Sequence, residues 1–267
     1  MKKYILFLVI FANISVFANI NAVVSITPQK FFLEQIGGDK INVTVMVKPG
    51  NSPHTYEPKP SQMKDISSAD IYFYIGVEFE ESWLSKFSNQ NRSMKLVDVT
   101  TSIKRYNKED PHVWTSPNNV KIIAKNILNS LVKLDSKNKD YYTNNYTIFI
   151  KYINNLDIKI SNILKDVPKK SKFMVFHPSW GYFAKQYSLV QLPIQMHGKA
   201  PKPKDIIKLI KVAKKQKVKA VFTQPEFSDK IAQTIATQLK IKVIKTSPLS
   251  LKWGDNLIKL ATAIANK

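Results

Sequence analysis

The sequence contains no cysteine. No disulfide can form, no thiolate can bind a metal or attack a substrate, and no lipid can be attached through a cysteine at a mature N-terminus. Glycine is scarce, with 7 in 267 residues, and 44% of the chain is hydrophobic. That composition is too ordered for a disordered chain and long enough for two ordinary α/β lobes. Arginine is nearly absent: Arg92 and Arg105 stand against a lysine-dominated total of 41 basic and 19 acidic side chains, a formal charge of +22. Specific nucleic-acid readers depend on arginine for bidentate contacts, so no nucleic acid is expected as partner. The lysines are spread over both halves and read as a solvated face with some attraction for anionic surfaces. Past the first residues no apolar run is long enough to span a bilayer.

What is present begins with a targeting segment. Lys2 and Lys3 precede a nearly unbroken apolar run from Tyr4 to Phe17, and Ala18 offers a small residue at a cleavage point. Residues 1–18 are read as a signal peptide, with Ala22 as the second choice of site. A membrane anchor needs about 20 apolar residues, and Asn13, Ser15 and Asn19 interrupt this stretch.

The middle of the chain organises the rest. Tyr142, Tyr146, Phe149, Ile153, Leu156, Ile160 and Ile163 recur at alternating spacings of four and three. That is one face of a helix, read here over 136–167 with Ser136 as its N-cap and ended by Pro168. Short apolar runs alternate with helical patterns on either side of it. The expected architecture is therefore an N-terminal α/β lobe over 19–135, a connecting helix over 136–167 and a C-terminal α/β lobe over 168–267.

Four histidines occur in the whole chain. Pro precedes His54 and His112, and Pro follows His177; all three are read in loops or at strand ends. The carboxyl ends of parallel strands face the ligand crevice of an open α/β sheet, so facing lobes can bring three imidazoles together. Neutral imidazole suits Zn²⁺, and tetrahedral sites accept three protein ligands and one further group. No pair has a local metal-binding spacing, and each histidine alone is also consistent with a local hydrogen bond.

Three segments then carry a resemblance: Pro53-His54-Thr55-Tyr56-Glu57-Pro58, Asp110-Pro111-His112-Val113-Trp114, and Phe176-His177-Pro178-Ser179-Trp180-Gly181-Tyr182-Phe183. They resemble the histidine motifs of the zinc/manganese ABC-importer substrate-binding proteins, the ZnuA-like family. Gly198–Pro203 and Phe222–Ser228 resemble two more family segments, and the likeness runs in order from about Val23 to the C-terminus. It implies two α/β lobes joined by a single long rigid helix, one metal in the cleft between them, and delivery to the membrane permease of a metal ABC importer. His54, His112 and His177 carry over as ligands. Two departures stand out. Ser247 occupies the place where the family commonly has an aspartate ligand, and the stretch 101–109 has no histidine. Water, His197 and Glu57, in that order, are the candidates for the fourth position, with Ser247 itself a poor ligand.

The expected function is thus a monomeric, non-enzymatic periplasmic protein that captures zinc, with manganese second. The alternative is an exported zinc-dependent hydrolase with a three-histidine site and Glu57 as general base. A lysine-driven polyanion-binding adhesin is a third reading. The signal-peptide reading makes the first prediction: N-terminal mass analysis of the exported protein finds Asn19 as the first residue, and retention of Met1 would overturn it.

Overall fold

The seven-residue run Ile20–Ile26 forms β1, in which every residue but Asn21 is buried. Such continuous burial belongs to a strand covered on both faces, as in a parallel sheet. In the computed structural model, which describes residues 19–106, 110–195 and 200–265, β1 lies between β2 (Ile41–Val47) and β3 (Ile71–Tyr74), with β4 (Lys95–Asp98) beyond β3. All pairings are parallel. The second half builds the same arrangement from β5 (Lys172–Val175), β6 (Val190–Pro193), β7 (Ala220–Thr223) and β8 (Lys242–Lys245) in the order β6-β5-β7-β8. In each sheet the chain steps to one side of its first strand and returns on the other. That reversal opens a crevice at the carboxyl ends of the strands.

Helices α1 (Thr27–Gly37), α2 (Pro60–Ser67), α3 (Glu78–Gln90) and α4 (Pro117–Leu134) accompany the first sheet, and α6 (Gly181–Gln186), α7 (Pro203–Lys215) and α8 (Lys230–Leu239) the second. Proline occupies the first turn of α1, α2, α4 and α7, where its missing N–H costs nothing. Between the halves runs α5 (Lys139–Leu164), about 39 Å long at 1.5 Å per residue.

The expected stripe of α5 is buried through Tyr142, Phe149, Ile153, Leu156 and Ile160, each contributing about 1.5–3 kcal/mol. Leu164 rather than Ile163 completes it. The start differs from the sequence reading. Ser136–Asn138 is a 3₁₀ turn, and Ser136 does not cap the helix. The Asp135 carboxylate instead accepts from Asn138 Nδ2 (2.6 Å) and the Tyr142 hydroxyl (2.7 Å), which holds this turn in its tighter form.

α5 packs against α1 and α4 on one side and the last helix, α9 (Trp253–Ala265), on the other. Phe32 of α1 meets Trp253 edge-on at 5.2 Å and Phe149 at 6.0 Å. One continuous core therefore runs from β1 through α5 to Phe173, Trp180, Phe222 and Leu260. The second sheet alternates between two cores: Phe173, Val175 and Phe222 face this one, while Met174, Phe176 and Val221 face a separate cluster under α7 and α8. Two indole hydrogen bonds tie the halves directly. Trp114 Nε1 donates to the Pro248 carbonyl at 2.8 Å, and Trp253 Nε1 donates to the Trp114 carbonyl at 2.9 Å.

A continuous helix and a shared core leave little freedom for domain swinging. Small-angle scattering of metal-free and zinc-loaded protein is expected to give nearly superimposable profiles. A large compaction on loading would show that α5 does not act as a rigid strut.

Candidate metal centre

His54 lies in a 3₁₀ turn (Pro53–Thr55) after β2, His112 just before a second such turn after β4, and His177 two residues beyond β5. All three follow the carboxyl ends of parallel strands, where the crevices open. The local chain is clamped at each. The N–H of His54 donates to Ser52 Oγ at 3.3 Å, that of His112 to Asp110 Oδ1 at 3.0 Å, and that of His177 to Gln224 Oε1 at 3.3 Å. Gln224 Nε2 donates back to the His177 carbonyl at 3.1 Å. With proline beside each histidine, little backbone freedom remains.

The imidazoles converge. One ring nitrogen from each of His54, His112 and His177 lies within 4.8 Å of the others, and Nε2 of His54 is 3.0 Å from Nε2 of His177. On the opposite edge of each ring, Nδ1 meets an oxygen: Glu78 Oε1 at 2.7 Å for His54, Asp110 Oδ1 at 2.8 Å for His112, and Gln195 Oε1 at 2.8 Å for His177. These oxygens only accept, so each Nδ1 donates to its partner and Nε2 is the nitrogen left to offer a lone pair to a cation. A tetrahedral zinc ion with bonds of about 2.0–2.1 Å spaces its ligand nitrogens roughly 3.3 Å apart, close to the 3.0 Å between His54 and His177 and inside the 4.8 Å within which all three lie. The donor set fits a divalent cation.

Burial reinforces the protonation state. His112 and His177 are buried and His54 is half-buried. Desolvation, with the two neighbouring imidazoles, pushes the His177 pKa down to about 3, so its ring is neutral at any physiological pH. Burial would raise the carboxyls of Glu78 and Asp110. Their hydrogen bonds to His54 and His112, and the charge those rings can carry, outweigh it and hold both below the usual carboxylate value.

The supports are themselves supported. Glu80, buried beside Ser25, accepts from the N–H groups of Ile75 (3.0 Å), Gly76 (2.6 Å) and Val77 (3.1 Å), which fixes the turn that leads to Glu78. Gly76 there has φ +87°, and a Cβ would stand 2.6 Å from Arg105 Nη2, so glycine is required. Arg105 bridges that turn to the next, donating to the carbonyls of Ile75 and Asp110, each at 3.4 Å.

Of the other sequence candidates, Glu57 is exposed and does not join the cluster. Ser247 donates its hydroxyl to Glu226 Oε1 at 3.3 Å. His197 lies outside the described residues. Sequence reasoning missed Glu78 and Gln195, and it quoted Gln224 and Glu226 only as part of the Phe222–Ser228 segment, without a role. It quoted Asp110 without a role, although an aspartate two residues before a histidine is a recognisable local hydrogen-bonding pattern. No local pattern marks Glu78 or Gln195, which reach the site from distant loops.

Comparison with known proteins agrees with this geometry. Residues 22–266 match the family model "ZnuA: Zinc-uptake complex component A periplasmic". The high-affinity zinc uptake system protein ZnuA of Bacillus subtilis (strain 168) is 30% identical over 251 residues, 85% of this chain and 78% of that protein. The manganese ABC transporter substrate-binding lipoprotein PsaA of Streptococcus pneumoniae is 27% identical over 79% of this chain and 73% of its own length. A crystal structure of ZnuA superimposes with a TM-score of 0.89 at 41% identity, covering 93% of this chain and 98% of that one. The chain belongs to the ZnuA family of periplasmic zinc-uptake components.

Proposed function

We propose that the protein is the substrate-binding component of a metal ABC importer. On this reading it works in the periplasm after loss of residues 1–18, and captures zinc through Nε2 of His54, His112 and His177 for delivery to the membrane permease. The observation that carries the proposal is the set of three oxygen acceptors on the three Nδ1 atoms, which leaves the three Nε2 atoms of one close cluster to an ion. The relatives divide between zinc and manganese. Three neutral imidazoles favour zinc, since manganese prefers carboxylate and water oxygens. Among the described residues the cluster contains no carboxylate. The hydrolase reading loses support on two counts. Its general base, Glu57, is exposed and outside the cluster, and the relatives named above are transport proteins.

Replacing His54, His112 or His177 by alanine is expected to weaken zinc binding at least about 100-fold, because a ligand is lost. Glu78→Gln and Asp110→Asn cost about 10–100-fold by loosening ring orientation and basicity, and Glu57→Gln leaves affinity at the wild-type level. Titration against a competing chelator reads all of these; unchanged affinity in any one histidine variant removes that residue from the site.

A pH prediction concerns the metal-free protein. Folded His177 takes a proton only near pH 3, whereas in the unfolded chain it does so near 6.5. Between those values the unfolded state binds more protons, so this contribution to stability is lost as pH falls from about 6.5 toward 3. Denaturant unfolding across that range should show the decline, and His177→Asn should flatten it.

A further inference from the structure

Four polar side chains face the cavity beside the histidines: Ser52, Glu78, Gln224 and Glu226. Three of them hold the histidines, with Glu78 Oε2 left buried and without a hydrogen-bond partner. Ser52 accepts from the N–H of His54, and Gln224 hydrogen-bonds the backbone of His177 at both ends of its amide. Glu78 Oε1 sits on Nδ1 of His54, across the ring from the nitrogen that points inward. Glu226 holds none of them. Its Oε1 accepts from the hydroxyl of Ser247 at 3.3 Å, and Ser247 Oγ in turn accepts from the N–H of Leu249 at 3.1 Å. The hydroxyl's single proton is thereby directed to the carboxylate.

The rest of the wall is largely apolar, with Val77, Pro111, Phe227, Pro248 and Leu249. A dication in such a wall, bound only by neutral imidazoles, keeps its full charge in poorly polar surroundings, which is costly without a directly paired anion. Glu226 is the carboxylate in this cavity that is free of the histidines. It stands outside the three-histidine cluster, and a glutamate side chain has three rotatable torsions with which to reach an ion held there.

We propose that Glu226 is the fourth zinc ligand: its carboxylate leaves the Ser247 hydroxyl and turns onto the ion when zinc binds. Glu226 thus takes the position for which water was the first expectation from sequence, and the inference rests on the zinc-capture reading above. The ligand set becomes three nitrogens and one carboxylate oxygen, with Ser247 as a resting partner.

Zinc titrations against a chelator, paired with infrared difference spectra of zinc-loaded minus metal-free protein, test this. E226Q should bind zinc at least about 100-fold more weakly, since a lost ligand costs no less than a lost outer partner, while its metal-free unfolding midpoint stays at the wild-type value. S247A should tighten binding by about 2–10-fold, the worth of the single hydrogen bond broken on loading. The wild type should show a zinc-induced shift of a carboxylate stretch that E226Q lacks. Wild-type affinity in E226Q would assign the position to water and overturn the inference. A weakened E226Q that keeps the wild-type difference band would also overturn it, by showing that Glu226 acts at a distance. S247A weakening zinc as much as E226Q would refute the resting role. In all three cases the zinc-capture reading survives if the wild type binds tightly and H112A does not; a wild type that fails to bind zinc takes down both.

Discussion

Three imidazole nitrogens held with their lone pairs toward one another are an unfavourable arrangement in the absence of a cation. Left free, each ring would turn toward water or exchange its proton to relieve the repulsion. Here neither escape is open, because Glu78, Asp110 and Gln195 each accept a hydrogen bond from the outer nitrogen and fix both tautomer and orientation. The rest of the molecule can be understood as what keeps those three oxygens in place. Each is delivered from a different loop, and each loop follows a strand or opens a helix whose position is set by a buried core.

That dependence explains why the fold is duplicated. A single parallel sheet with the order β2-β1-β3-β4 offers one crevice, and His54, His112, Glu78 and Asp110 all come from the loops around it. A second sheet with the same order supplies His177, Gln195 and Gln224 from the opposite side. A site assembled this way is only as accurate as the relative placement of the lobes. The placement is built from α5, from the core it shares with α9, and from the pair of indole hydrogen bonds through Trp114, two residues from His112.

Much of this was legible in the sequence, and the boundary of legibility follows the range of the interactions. The strut showed itself through the 3-4 spacing from Tyr142 to Ile160, because a helix buries a stripe along its own length. Its first turn did not, since the 3₁₀ form depends on Asp135 reaching forward to Asn138 and Tyr142, which competes with capping by Ser136. The motifs around His54, His112 and His177 stood out through flanking prolines and family resemblance. Glu78 and Gln195 did not, because nothing near either residue in sequence reveals which ring it will meet. Glu57 is the converse case: three residues from His54 and chemically suitable, yet exposed, while its neighbour Tyr56 packs against the core and bonds Gln62.

Asp110 shows how lobe placement and ligand chemistry become one constraint. Its Oδ1 takes both the backbone N–H and Nδ1 of His112, while its Oδ2 accepts from Tyr106 at 3.0 Å. Its carbonyl accepts from Tyr182 in α6 of the other lobe at 3.3 Å. Gly181, the first residue of α6, lies so close that a Cβ would stand 2.6 Å from Asp110 Oδ2 and would overlap the Tyr106 hydroxyl. A side chain at position 181 would have to displace the very carboxylate that orients His112. The carboxylate that orients His112 in the first lobe is thus pinned by the absence of a side chain in the second. Separating the lobes would remove the Tyr182 hydrogen bond and the close approach of Gly181 that hold Asp110 in place. In a receptor built this way, release of the ion is more readily coupled to small movements of the loops around Asp110 than to opening of the cleft as a whole.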